Sequence, residues 1–369
     1  MSAIASETFA FLSSGATPSV APGPIGGPGA WRGRELAAQQ ASWTHRLSER
    51  EIEELDAAMR RTRHLEFQDI TPDTFVLPTL GAVLDDVRRE LLHGRGFVLI
   101  RGVPVSEYTL EESARIYWGL GSYIGHARSQ NAKGHLLGHV CNLGDQFDAF
   151  GHPGKSRIYQ TRVRQKFHTD STDVVGLLCL QAAKAGGGSS ICSSVSVHDE
   201  MYRLDKALWA RMYAPFWRDR RGEIPPGKMP YYPMAAFHFH AGDLSTIYAR
   251  DYIESSARFS ELPPLDNEQI AALDLFDSLC EGPELRLDMS FEPGDIQLLH
   301  NHQILHARAD FEDWPEVERR RHLLRLWLCP AQARELPDSL LERYLSIEVG
   351  DRGGIIGPDT KLCVPLEPI

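Results

Sequence analysis

No stretch of this 369-residue chain approaches the ~20 consecutive apolar residues that cross a bilayer. The N-terminus has no basic run followed by a long apolar one, which predicts no secretory signal and a cytoplasmic protein. Basic residues are not in excess: 39 Lys and Arg against 50 Asp and Glu leave a formal charge of −11. Bulk attraction to a phosphate backbone is thereby excluded, and no membrane or nucleic-acid partner is expected. The short basic runs Arg218 to Arg221 and Arg319 to Arg321 read as solvated loops. None of the six cysteines forms a CxxC pair, so a zinc knot has no support. Cys179, Cys192 and Cys329 lie in apolar runs and are expected to be reduced thiols, as in a reducing compartment. No GxGxxG follows a strand and no P-loop is present, so nothing points to a nucleotide cofactor.

What remains is an ordinary globular composition, 42% hydrophobic and 24% charged, which affords a sizeable core. Ser13 to Ala30 is rich in Gly, Pro, Ser and Ala. It predicts a flexible leader over residues 1–30, free or lying over the domain, ahead of a single domain over 31–369. Capping boxes at Ser48/Glu51 and Thr109/Glu112 start helices, and another pattern runs from Leu80 to Leu92. Asp266 caps a helix to about Leu279. Strands are expected at Phe97 to Ile100, Val174 to Ala183, Leu285 to Phe291 and Ile296 to His300. Gly121 to Phe150 reads as a long irregular segment lining a pocket, and Arg218 to Phe237 as a surface excursion. Short strands with helices in front and inserted late make an α+β pattern built on an antiparallel sheet or barrel.

The chemistry centres on His168-Thr169-Asp170. On an extended segment, residues i and i+2 point to the same side, so one imidazole and one carboxylate can share a metal ion. Two ligands are too few. A third is available after the Pro293-Gly294-Asp295 turn, where His300, His302 and His306 share strand parity and are all open as candidates. Further on, Arg321 and Arg325 lie four apart in a strand-like apolar run. Two guanidinium groups aimed into an interior require anions, and a dicarboxylic acid matches the guanidinium fork. Two imidazoles and one carboxylate on one face of an octahedral ion leave three positions open, an arrangement suited to Fe(II) and O₂ chemistry.

In this ordered set the chain resembles the TauD/TfdA family of Fe(II)/2-oxoglutarate-dependent dioxygenases. The resemblance runs from about Leu80 to Pro330. It rests on His168-Thr169-Asp170, Gly187-Gly188-Ser189-Ser190, Gly294-Asp295 leading to Asn301 and Leu305-His306-Ala307, and Arg321-x-x-x-Arg325. It implies a double-stranded β-helix, the cupin-like jelly roll, with flanking and inserted helices. It implies His168, Asp170 and His306 as iron ligands. Ser190 stands where the family often has a Thr donating to 2-oxoglutarate, Arg321 is the implied anchor of that carboxylate, and Arg325 is its rival for that role or a contact to substrate. Asp170 argues against halogenation, since halogenating relatives lack that carboxylate.

The implied cofactors are Fe(II) and 2-oxoglutarate, with O₂ as co-substrate. The implied reaction oxidises an unactivated C–H bond of a small anionic or zwitterionic molecule, an amino acid or another carboxylate. Hydroxylation is the default outcome, with desaturation or ring closure as alternatives. His126, Arg128, Gln130, Tyr248, His302 and Arg325 are the candidate substrate contacts. Two other classes compete: a metal-bearing binding protein without turnover, and a metal-dependent hydrolase or isomerase that works without O₂. Homo-oligomerisation is left open.

Overall fold

The protein is described by a computed structural model over residues 19–144 and 157–368. Residues 1–18 of the expected leader and 145–156 of the expected pocket loop lie outside the described residues. Nine strands form the frame: β1 (Phe97–Arg101), β2 (Leu137–Cys141), β3 (Gln165–His168), β4 (Val174–Gln181), β5 (Ser189–Ser193), β6 (Arg286–Met289), β7 (Ile296–His300), β8 (Ile304–Arg308) and β9 (His322–Cys329). The larger sheet runs β1-β7-β4-β9, with β2 on the free side of β9. The smaller runs β6-β5-β8-β3. Together they make the jelly roll, with every pairing among these nine strands antiparallel.

Alternation along the strands separates core from cavity. In β9, Leu324, Leu326 and Leu328 face outward onto α1 (Glu49–Arg61), α2 (Leu80–His93) and α3 (Leu110–Ile124). Arg325 and Trp327 take the opposite parity and reach the space between the sheets. In β8, Leu305 and Ala307 pack outward against α4 (Ser194–Leu204) and α5 (Asn267–Glu281). Both α1 and α3 start at the capping boxes legible in the sequence: Ser48 and Thr109 accept from the backbone N–H three residues on, and Glu51 and Glu112 return the bond. Gly294 closes the turn before β7 at φ +90°, where an added Cβ would meet the Val103 carbonyl at 2.0 Å. The next residue, Asp295, receives two 2.7 Å bonds from the Arg101 guanidinium and locks the turn to β1.

Three expectations change. Residues 19–30 pack against the domain: Ala21 is buried, and the Ile25 and Gly26 N–H groups donate to Asp199. The stretch after Gly121 continues α3 to Ile124 and then supplies a short strand (His126–Ala127) and β2, both on β9. Its polar composition hid the pairing because β9 supplies the apolar neighbours. Arg218 to Phe237 is likewise no surface excursion. It holds a hairpin, Phe216–Asp219 with Tyr231–Met234, and Arg218 and Arg220 are buried at 2% and 7% exposure. Arg321 of the other basic run is also buried.

Candidate active site

The β3–β8 ladder places His168 directly opposite His306, with ring centroids 4.1 Å apart. Asp170 follows β3 by two residues and turns its carboxylate toward both rings. Its Oδ1 is 3.6 Å from His168 Nε2 and its Oδ2 3.8 Å from His306 Nε2. The ligand atoms of all three lie within 4.8 Å of one another. The His168 Nδ1–H donates to the Lys166 carbonyl at 2.9 Å, and its Nε2 accepts from the Gln165 side-chain amide at 2.9 Å on the side facing Asp170. Burial alone would raise the Asp170 carboxyl, but Arg325, the two imidazoles and Trp327 outweigh it and hold the group below its usual range. This donor set fits a divalent ion that favours mixed imidazole and carboxylate ligation.

Asn301 positions the carboxylate through the backbone. Its Oδ1 accepts from the Asp170 N–H at 2.9 Å, and its Nδ2 donates to the Asp170 and Thr172 carbonyls at 2.6 and 2.9 Å. Trp327 Nε1 donates to Asp170 Oδ2 at 3.0 Å. Asn301→Ala strips three buried backbone groups of partners. We expect a loss of about 2–3 kcal/mol of stability and a weaker metal titration. Chemical denaturation and an anaerobic Fe(II) titration measure the two effects.

Two cavities meet at the triad. The inner one lies between the sheets and is bounded by Val140, Val175, Leu177 and Phe291, with Ser189, Arg308 and Arg321 at its polar end. Burial pushes the Arg321 guanidinium down to about 10, and Arg308 down to about 9 with Arg321 as an added repulsion. Arg308 Nη2 is held by three carbonyls, those of Ile158, Thr161 and Val163, but its Nε and Nη1 and the Nη1 of Arg321 are buried without partners. Gly187, at φ +71°, makes room for Arg321: an added Cβ would sit 3.0 Å from its Nε. Two buried cations around an apolar slot fit a dicarboxylate such as 2-oxoglutarate. The outer cavity runs from His168, Asp170 and Trp327 past Arg325 to the 216–234 hairpin and Ile355 and Ile356 near the C-terminus.

The expected substrate contacts divide. Gln130 and Arg325 line the outer cavity and hold each other, Arg325 Nε donating to Gln130 Oε1 at 2.7 Å. Arg325 also lies over Tyr159, 4.5 Å from the ring centre, at the junction of the two cavities. The other four are corrected. His126 is exposed and pairs with Cys329 on the sheet edge. Arg128 ion-pairs with Asp351 and donates to the Gly350 carbonyl, holding the C-terminal segment. His302 is fully buried, its Nε2 2.6 Å from Asp173, which Arg352 also grips. Tyr248 is fully buried and its phenol donates to Asp277; only its backbone reaches the site, exchanging bonds with Thr169.

Ser190 is corrected as well. Residue 191 is opposite His306 in the β5–β8 ladder, so Ser190 points to the other side, where its hydroxyl donates to Asp288 at 2.6 Å. Ser189 has the inward parity and lines the inner cavity. His300 stays buried away from the triad, 3.5 Å from an Arg334 nitrogen. Arg308 and Asn301 sit in motifs already visible in the chain; what their side chains do was not.

The frame and the site define a non-heme iron oxygenase of the jelly-roll type. The comparisons specify it further. Residues 61–327 match the family described as taurine catabolism dioxygenase TauD, TfdA family. The FR-33289 synthase of Streptomyces rubellomurinus is 32% identical over 329 residues, covering 86% of this chain and 94% of that one. Among solved structures, the oxygenase OrfP with Fe and alpha-ketoglutaric acid superposes with a TM-score of 0.60 at 14% identity, over 85% of this chain and all of that one. An asparagine oxygenase with Fe(II), 3-hydroxyasparagine and succinate gives 0.58 at 16% identity, over 78% and 93%. The chain belongs to the TauD/TfdA family and is an Fe(II)- and 2-oxoglutarate-dependent dioxygenase. No helix among the described residues is long and apolar enough to cross a membrane.

Proposed function

We propose that His168, Asp170 and His306 hold the iron, that Arg321 with Arg308 anchors the distal carboxylate of 2-oxoglutarate in the inner cavity, and that a small anionic or zwitterionic substrate enters from the outer cavity to be hydroxylated. The observation that carries this reading is the meeting of two cavities at one triad, one with the guanidinium groups of Arg321 and Arg308 at its polar end and the other running to the 216–234 hairpin. When bound, the iron and the oxo acid together activate O₂; the overall balance takes one C–H bond, O₂ and 2-oxoglutarate to one C–OH, succinate and CO₂.

The chain's own residues do the rest. Asn301 and Trp327 hold the Asp170 carboxylate in place for both imidazoles. The His168 Nδ1–H bond to Lys166 fixes the ring orientation. The apolar walls Val175, Leu177 and Phe291 lower the local dielectric around the inner cavity, which strengthens the pull of Arg321 on a carboxylate. Arg325 stands between the cavities, 3.7 Å from Asp170, and is placed to meet an acidic group of the substrate. Amino acids and other carboxylates are the first substrates to test, in keeping with the hydroxylated amino acid in the asparagine oxygenase structure.

The experiment is succinate release by purified protein with Fe(II), 2-oxoglutarate and candidate carboxylates, in air and without O₂. Succinate that appears only in air and rises with one substrate class supports the reading. Turnover undiminished without O₂, or no succinate under any condition, overturns it.

A further inference from the structure

Gln165 reaches the triad through a fault in the β3–β8 ladder. It begins β3, three positions before His168. Strict alternation would turn it to the same side as Phe167, which packs outward with Leu305 and Ala307. It does not go there. His168 is opposite His306 and Gln165 is opposite Arg308, so three steps along β3 span two along β8. The extra residue makes a bulge, and a bulge re-aims a side chain. Gln165 accordingly lines both the inner and the outer cavity.

Tyr159, His168 and Arg325 border both cavities with it. Arg325 lies over the Tyr159 ring and donates to Gln130, so those two are engaged with protein. Among the described residues the Gln165 side chain makes one hydrogen bond, from its Nε2 to His168 Nε2 at 2.9 Å. Lys166 fixes the direction of that bond. Its carbonyl takes the Nδ1 proton of His168, so Nε2 carries only a lone pair and the amide must be the donor. The same nitrogen faces Asp170 at 3.6 Å and is the one a metal ion needs. One lone pair serves the amide or the ion, not both. Binding the ion therefore releases an amide with two N–H donors at the junction of the cavities, and a donor sheltered from water needs an acceptor.

We propose that Gln165 is a further residue of the oxo-acid site: its amide caps the metal-binding nitrogen of His168 in the metal-free protein and, once the ion takes that nitrogen, donates to an oxygen at the chelating end of 2-oxoglutarate. The position selects this ligand. With its distal carboxylate at Arg321 in the inner cavity, the oxo acid brings its other end to the triad at the junction where Gln165 stands. A neutral donor suits that place, because a further cation beside Arg325 would repel the incoming dication. The proposal rests on the reading of the triad and of Arg321 given under the proposed function, and adds a residue that the ligand motif does not contain.

The test compares full-length wild type, Gln165→Leu and Gln165→Glu by anaerobic calorimetry, first with Fe(II) alone, then with 2-oxoglutarate and with 2-oxobutyrate on the Fe(II)-loaded protein. Gln165→Leu should bind Fe(II) roughly threefold to tenfold tighter, because the ion no longer displaces a hydrogen bond. It should bind both oxo acids roughly threefold to tenfold weaker, and by the same factor. Equal factors separate Gln165 from Arg321, whose loss weakens the dicarboxylate alone. Gln165→Glu puts a carboxylate of the same shape in place of the donor. It should tighten Fe(II) and weaken both oxo acids by roughly tenfold or more. If Gln165→Leu loses its thermal transition, Gln165→Glu decides. Fe(II) bound no tighter in the folded variants, or oxo acids bound as in wild type, overturns the inference. Wild-type succinate formation with unshifted variants overturns it alone; the expected binding shifts in a protein that forms no succinate overturn the oxygenase reading alone.

Discussion

Asp170→Ala abolishes succinate formation, coupled and uncoupled alike, and weakens Fe(II) binding by more than the roughly 100-fold that loss of an outer-shell partner costs. The physical argument is local. The carboxylate sits within 3.6 and 3.8 Å of the two imidazole nitrogens and is the only anion of the triad. Without it, two neutral imidazoles and the nearby Arg325 cation face an incoming dication, and the balance of charge turns repulsive. Asp170→Asn keeps the shape and an oxygen but not the charge, and falls between. Anaerobic Fe(II) titration and succinate assay, run on both variants, read the two effects separately. Wild-type metal affinity in Asp170→Ala would sink the assignment of Asp170 as a ligand. Its unfolded-state reference is not an issue if the variant retains its thermal transition, which the intact Asn301 bonds to the backbone at position 170 favour.

Arg321→Ala raises the dissociation constant for 2-oxoglutarate by about 2–3 kcal/mol, roughly 30- to 150-fold, the size expected for removing one partner of a desolvated charge pair. The comparison that isolates the contact uses 2-oxobutyrate, which keeps the metal-chelating end and lacks the distal carboxylate. Its weaker binding should be the same in wild type and variant. Arg325→Ala should leave 2-oxoglutarate affinity nearly unchanged and instead raise the substrate requirement, because Arg325 is engaged with Gln130 and Tyr159 at the junction of the cavities. The opposite pattern, a large loss for 2-oxoglutarate in Arg325→Ala alone, would transfer the anchor to Arg325. Arg308→Ala should show a smaller loss than Arg321→Ala, since one of its nitrogens is committed to three carbonyls and helps hold residues 158–163 in place.

Arg321 and Arg325 both face the space between the sheets, as read from the sequence, although the ladder shifts register between His322 and Leu323; Leu323 packs inward with Val140 and Cys179, and Leu324 faces the helices. Parity alone did not place Ser190. The sequence shows two adjacent serines after a glycine turn, and only the register of β5 on β8 says which of them shares the face of His306. The histidines teach the same lesson. His300, His302 and His306 share parity, yet the chain turns between β7 and β8, so the three no longer share a direction. His302 ends against Asp173, a buried carboxylate whose partners Arg352 and Cys329 come from far along the chain. Tyr248 looked pocket-facing by alternation, but a helix starts at Arg250 and α5 covers its ring.

By itself the sequence determined the chemistry. Ligand types, their order, the turn before β7 and the arginine pair are properties of residue identity and of period-two alternation, both of which are local. It also determined the antiparallel character and the helix starts, because capping and turn residues act within four positions. The tertiary structure alone decided which serine and which arginines meet, and that His300 and His302 point away from the triad. It also turned the basic run at 218–221 from a solvated loop into part of a hairpin whose Arg218 is buried and whose Arg220 and Arg221 line the outer cavity. Those outcomes depend on ladder register and on neighbours more than a hundred residues away, and no local pattern encodes a register when either face of a strand is buried.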